Sequence, residues 1–254
     1  MVLNTAPSTS TTVPTMGYAA AAVLAVQREM EADANVVVIG EDVGRGGIFG
    51  QYKGLQQMFG GQRIIDTPIS EAAIMGAGVG MALAGLRPVV EMRVVDFALC
   101  GMDEIVNQAA KNRFMFGGQG RVPLVARMPG GIWDASAAQH SQSLEAWFAH
   151  LPGVVVVSPA TPQDNYSLLR AALACGDPVV YIEHKALWGV RGPVDTSQLG
   201  TLGQAETDAS GGADDTRASQ GAERIRAQVW LGGDRFELQE FEAPELAPGE
   251  ALVA

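Results

Sequence analysis

The sequence predicts an α/β domain, a mainly parallel open sheet with helices on both faces. Short, uninterrupted apolar runs such as VVVIG (36–40), VVVVS (154–158) and PVVYIE (178–183) lack the in-out alternation of a half-exposed strand, so they read as strands buried on both sides. Segments with helical spacing of apolar residues separate them, and this alternation is the signature of strand-helix-strand crossovers.

In chain order, GYAAAAVLAVQREM (17–30) is rich in helix formers and leads through Asn35 into the strand VVVIG. A glycine-rich loop, EDVGRGGIFG, is followed by the helical GLQQMF, the short strand RIID and then TPISEAAIMGAGVGMALAG. Glycines 76, 78, 80 and 85 in this last segment would each weaken an isolated helix by roughly 1 kcal/mol, so it predicts a helix packed closely against a neighbour. Strand RPVVEM, a helix over Asp103–Phe114, strand VPLVAR, a glycine-rich loop, helix SLEAWFAHL, strand VVVVS, helix PQDNYSLLRAALA and strand PVVYIE complete the pattern, about six strands before residue 185.

Four segments divide the chain. Residues 1–15 carry neither the basic and apolar regions of a signal peptide nor the arginines of a transit peptide, and are expected to be a disordered leader. Residues 16–194 form the α/β domain, residues 195–224 are a Gly/Ser/Thr/Ala/Asp-rich linker expected to be disordered, and residues 225–254 regain strand-like alternation around Gly232–Asp234 as a partial β segment. No apolar stretch approaches the ~20 residues of a membrane-spanning helix. A formal charge of −11, much of it in the tail, and the lack of a basic stripe argue against nucleic-acid and anionic-membrane partners. The two cysteines, Cys100 and Cys175, have no metal or CxxC spacing, which suggests a reducing compartment such as the cytoplasm.

In open parallel sheets ligands bind beyond the carboxyl ends of the strands. That rule selects the loops Glu41–Gly50, Asp66–Glu71, Arg93–Phe97 and Pro129–Ser143, which hold the polar residues of interest. Glu71 follows Ser70, a candidate helix N-cap, and its competing reading is a glutamate favoured by the helix dipole. His140 lies in a loop at the same edge, and alone would be read as an exposed or structural histidine. Phe97 offers a flat apolar face or is ordinary core, and Glu41 offers a second carboxylate or makes an interface salt bridge or a loop hydrogen bond. GRGGIFG is not a phosphate-binding loop, and there is no GxSxG, no HExxH and no Cys/His cluster.

GEDVGRGGIF (40–49), RIIDTPISEAAIMGAGVGMALAGLRPVVE (63–91), DEIVNQAAKNRFM (103–115) and AAQHSQSLEAWFAHLPGVVVVSP (137–159) together resemble the beta subunit of 2-oxo acid dehydrogenase decarboxylating components, from about Thr15 to Val194. DTPISE with QHSQS is the specific pair of motifs. The resemblance implies a pyrimidine-binding domain for thiamine diphosphate, with oxidative decarboxylation of a small 2-oxo acid, or acetoin cleavage, and acyl transfer to lipoamide. It implies Glu71 as the carboxylate on the pyrimidine N1′, His140 as the active-site histidine, Phe97 packed on the aminopyrimidine and Glu41 as a second acidic contact. It also implies a structural potassium ion held by backbone carbonyls around Leu124 and at Ala172, Leu173, Cys175 and Asp177. His150 and His184 match family positions and are read as structural.

The family's GDG…N motif for magnesium and diphosphate is absent, so an alpha subunit is expected to supply it in a heterotetramer, which would serve a lipoyl acyltransferase core. Beta subunits of the family continue past Glu183–Lys185 into a second α/β domain, which residues 195–254 here are not expected to form. The tail from Ile225 instead resembles the start of a medium-chain zinc alcohol dehydrogenase. The alternative to the enzyme reading is therefore a truncated or fused remnant serving assembly or interaction only.

Overall fold

A computed structural model describes residues 13–132 and 135–203 in full and the backbone of 227–231. The sheet contains β2 (Val36–Gly40), β3 (Ile64–Asp66), β4 (Arg87–Glu91), β5 (Val125–Gly130), β6 (Val155–Pro159), β7 (Val179–His184) and β9 (Ala227–Leu231), in the order β3-β2-β4-β5-β7-β6-β9. The first six are parallel, and β9 runs antiparallel along β6. A separate short pair joins β1 (Thr15–Gly17) to β8 (Arg191–Pro193), so Thr15, at the end of the expected leader, is part of a strand.

Helices α1 (Tyr18–Ala32) and α6 (Pro162–Ala174) cover one face, and α3 (Glu71–Leu83), α4 (Ala110–Met115) and α5 (Glu145–Ala149) the other. The burial explains the continuous apolar strands. Val36, Val38, Val89, Val155 and Val157 point to the first core, while Ile39, Val90, Val156, Val180 and Ile182 point to the second. The expected helix over 103–114 is π-helical at Glu104–Ala109 before it becomes α4. Close packing of the glycine-rich helix is borne out at Gly78, where a Cβ would lie 2.4 Å from Val90 Cγ2 of the strand beneath. Two cap positions differ. Thr161 closes a full capping box with Asp164 on α6, whereas Ser70 stands at the cap position of α3 without a side-chain capping bond.

Residues 195–203, the beginning of the expected linker, are seated on α6: Gln163 and Asp195 exchange hydrogen bonds, and the Gly200 N–H donates to the Ser167 carbonyl. Residues 1–12 and 204–226, and the turn expected at 232–234, lie outside the described residues. Among the described residues no helix is long and apolar enough to cross a membrane.

One polar network interrupts the α1/α6 core. Arg127 and Glu183, both fully buried, form a bidentate pair at 2.6 and 2.8 Å. Asn165 donates to Glu183 at 2.7 Å and accepts from Tyr181 at 3.0 Å. Glu91, beside Arg127 in the sheet register, accepts from Tyr52 at 2.7 Å and from Gln51 at 3.3 Å. Burial pushes the Glu91 carboxyl up to about 7, against the pull of the Arg127 charge and the Tyr52 and Gln51 hydrogen bonds.

The folded chain therefore retains a proton at Glu91 that the unfolded chain releases near the ordinary glutamate value of ~4.3. Stability contributed at this position falls as pH rises between those two values. Glu91→Gln, which cannot ionise, is expected to remove that slope. Denaturant titrations between roughly pH 5 and 8 should show wild type losing stability relative to the variant as pH rises, and parallel curves would refute the assignment.

Candidate active site

The strand order places a crevice where chain direction reverses. After β2 the chain turns outward to β3, and after β4 it turns the other way to β5, so the loops that leave β2 and β4 diverge. Gly40 and Glu91 are register partners, so Glu41 and Arg93 emerge side by side at this point. A Cβ on Gly40 would stand 2.7 Å from that of Glu91, which explains why the strand ends in glycine.

A cavity of about 310 Å³ opens here, lined by Glu41, Ile48, Ile69, Glu71, Arg93, Val94, Phe97 and His140. All four residues selected from the sequence as catalytic or cofactor-binding thus meet in one place. A larger hollow of about 640 Å³ beside Arg113, Phe114 and Asp177 is at the opposite ends of the strands and holds none of them.

Glu71 is the first residue of α3, which carries it to the cavity wall from the end of β3. The loop on which it stands is tied to the rest of the rim. Asp66, which opens DTPISE, accepts from the Gly44 N–H at 2.8 Å, and the Thr67 N–H donates to the Gly40 carbonyl at 3.1 Å. The Glu71 carboxylate makes no hydrogen bond among the described residues. Glu41 is only 8% exposed, and Arg93 Nη1 approaches it at 3.6 Å and Asp42 at 3.4 Å. Burial raises the Glu41 carboxyl, the Glu71 charge raises it further and Arg93 opposes both. Glu41 is thus engaged by an ion pair between two loops of the same chain, not by the interface salt bridge of the competing reading, and both partners line the cavity.

Arg93 escaped the sequence reading, although it lay in a selected loop. Its φ of 39° and that of Asp42 at 56° are left-handed in residues other than glycine. Such strain gathers where a rim must bring side chains together. Arg93→Met should push the Glu41 carboxyl still higher, because the opposing cation is gone while burial and Glu71 remain. A carboxyl-carbon NMR titration reads this, and an unmoved or lowered midpoint would contradict it.

Phe97 and His140 meet edge to face with ring centroids 5.1 Å apart. His140 ends a short 3-10 turn, Ala138–His140, and its Nδ1 is buried without a hydrogen-bond partner. A flat apolar wall, an unengaged carboxylate and an orphaned ring nitrogen suit a small aromatic heterocycle with polar edges, so these residues fit an aminopyrimidine.

The carbonyl stretches singled out for potassium lie at the other edge of the sheet. The Leu124 carbonyl accepts from the Val179 N–H at 2.9 Å and that of Ala172 from the Cys175 N–H at 3.1 Å. The Asp177 carboxylate pairs with Arg113. Among the described residues no three His, Cys, Asp or Glu side chains converge as a metal site.

Residues 14–190 match the transketolase pyrimidine-binding domain family. The chain belongs to that family. It is 46% identical over 171 residues to the 2-oxoisovalerate dehydrogenase subunit beta of Bacillus subtilis, covering 67% of this chain and 52% of the relative. It is 44% identical over 176 residues to the pyruvate dehydrogenase E1 component subunit beta-1, mitochondrial, of Oryza sativa subsp. japonica, covering 69% and 47%. A third relative, the acetoin:2,6-dichlorophenolindophenol oxidoreductase subunit beta of Cupriavidus necator, is 43% identical over 181 residues, covering 67% and 53%. The chain thus spans about half the length of these relatives. A solved structure titled a split gene transketolase, inactive beta4 tetramer, shares the fold with a TM-score of 0.61 at 17% identity, covering 76% of this chain and 58% of that one.

Proposed function

We propose that this pyrimidine-binding domain acts in the beta subunit of a thiamine-diphosphate-dependent 2-oxo acid dehydrogenase component. In this reading it pairs with an alpha subunit in a heterotetramer, and the pair oxidatively decarboxylates a small 2-oxo acid, or cleaves acetoin, and passes the acyl group to lipoamide on an acyltransferase core. The observation that carries the proposal is the meeting of Glu71, Phe97, His140 and Glu41 in one cavity at the reversal of strand order.

Thiamine diphosphate supplies a carbon nucleophile once its C2 proton is lost, and the protein orients and tunes it. Glu71 would hold the pyrimidine edge by sharing a proton with N1′, which would tune the basicity of the neighbouring 4′ nitrogen. Phe97, which lines the cavity, would pack on the flat face of the ring and exclude water from it. His140 bonds the substrate carboxylate or carbonyl and moves a proton during acyl handover. Glu41, its carboxyl raised and its charge countered by Arg93, is a second acidic contact at the same rim. The magnesium and diphosphate belong to the alpha subunit, and a potassium ion on the carbonyls of Leu124, Ala172, Leu173, Cys175 and Asp177 would brace the far edge.

The test is co-purification of the full chain with its alpha subunit and assay of carbon dioxide release from pyruvate and 2-oxoisovalerate, with acetoin cleavage in parallel. Turnover that requires thiamine diphosphate supports the proposal. A stable complex that neither binds the cofactor nor turns over any of the three overturns it and leaves a non-catalytic assembly remnant.

A further inference from the structure

Behind the cavity wall lies a second polar cluster that the proposed chemistry does not use. Lys185, at the end of β7, is only 6% exposed, and its ammonium group donates to the His140 backbone carbonyl. Burial lowers the basicity of Lys185, and the Asp96 charge opposes that effect. Asp96 is itself buried, directly precedes Phe97, and accepts from Gln142 Nε2 at 2.8 Å, while its second oxygen is buried without a partner. The Gln142 carbonyl in turn accepts from the Gly131 N–H at 2.8 Å. Three segments therefore converge on one cluster: the rim after β4 that carries Phe97, the loop after β5 that carries His140, and the end of β7.

The loop needs such an anchor. Ala135 and Ala137, just before the turn that carries His140, have φ of 53° and 64°, a left-handed backbone that alanine adopts only under external restraint. At its start, Gly131 has φ of 79°, and a Cβ there would stand 2.2 Å from Nε2 of His184. The imidazole of His140 contributes no restraint through Nδ1, which has no partner, and touches Phe97 only edge to face. Its position is consequently set through its backbone, and the polar hold on that backbone at its carbonyl comes from Lys185.

We propose that Lys185, with Asp96 and Gln142, is a positioning cluster that fixes the attitude of His140 against Phe97 and toward Glu71. Lys185 is not among the residues that line the cavity. It acts through His140, so this proposal rests on the function proposed above. A buried ammonium is suited to the task, because it offers three donors from one point and bonds the His140 carbonyl directly, while Asp96 holds the same loop by accepting from Gln142 Nε2 at 2.8 Å. A misplacement of about 1 Å at a reacting group can cost on the order of 100-fold in rate.

The test compares wild type, Lys185→Met, Lys185→Arg, His140→Ala and the double variant Lys185→Met/His140→Ala, each as the full chain in complex with its alpha subunit. The expected result is a kcat for Lys185→Met lower by about 100-fold, no further loss in the double variant, unchanged thiamine diphosphate affinity and partial recovery in Lys185→Arg. Losses that multiply in the double variant, or cofactor affinity that falls with kcat, would overturn the proposal. A second measurement stands apart from turnover. In the isotope-labelled chain, the nuclear Overhauser contact between the His140 and Phe97 rings should vanish in Asp96→Asn and Lys185→Met, and its persistence in both would overturn the cluster's role. If the wild-type complex proves inactive, the functional proposal fails while the ring contact still decides whether the cluster positions His140.

Discussion

Glu183→Ala should destabilise the domain by about 3–5 kcal/mol, because it leaves a buried guanidinium without its carboxylate. The carboxylate is fully buried and holds both forks of an equally buried guanidinium. Its removal leaves Arg127 with the Gln51 carbonyl at 3.3 Å, the Tyr52 ring at 5.0 Å and neighbouring Glu91. None of these replaces a bidentate carboxylate. Asn165 would lose a hydrogen bond as well. At roughly 2–4 °C per kcal/mol for a domain of this size, the melting midpoint should drop by about 6–20 °C. Glu91 provides an internal check. The Glu183 charge helps to raise its carboxyl, so in the variant Glu91 should ionise more readily and partly compensate Arg127. The deficit should therefore shrink as pH rises toward 8. Arg127→Met/Glu183→Leu, which removes both charges, should be less damaging than Glu183→Ala. A calorimetric midpoint within a few degrees of wild type for Glu183→Ala would refute the account.

That network also marks the limit of what the sequence disclosed. The strands were legible because parallel strands covered on both faces must be apolar throughout, and the helices because their apolar spacing differs from that of the strands. The site was legible because strand ends select loops and two motifs populate them. Glu91, Arg127 and Glu183 were not legible as partners, since each is a lone charge in an apolar strand and only sheet register brings the three together. Arg93 was missed for a related reason: its left-handed backbone and its reach to Glu41 depend on the order of β2 and β4, which a linear reading does not supply. Lys185 and Asp96, 89 positions apart in sequence, each bond the loop after β5, one at the His140 carbonyl and the other at Gln142 Nε2. The strand pair β1–β8 joins segments too short to show a period.

For activity, the largest effect is expected from Glu71→Gln. The amide has nearly the shape of the carboxylate and can still bond a ring nitrogen, so the cavity and cofactor affinity should change little. What it cannot do is hold a proton at N1′ against a compensating negative charge. Exchange of the thiazolium C2 proton with solvent, measured by rapid quench and NMR, should therefore slow by about 100-fold or more, with turnover falling in step. Glu71→Ala should lose affinity as well, because the polar edge of the ring would face a void. Glu41 distinguishes this account from simple loss of a negative charge. The Glu71 charge is among the causes that raise the Glu41 carboxyl, so in Glu71→Gln that carboxyl should move down and engage Arg93 more strongly. If Glu41 took over the work at N1′, it would then do so more effectively, and exchange would survive. Fast exchange in Glu71→Gln together with its loss in Glu71→Gln/Glu41→Gln would transfer the N1′ role from the start of α3 to the end of β2. Slow exchange in the single variant keeps it on Glu71, because the geometry then gives Glu41 to Arg93 and leaves only one carboxylate free to face the ring.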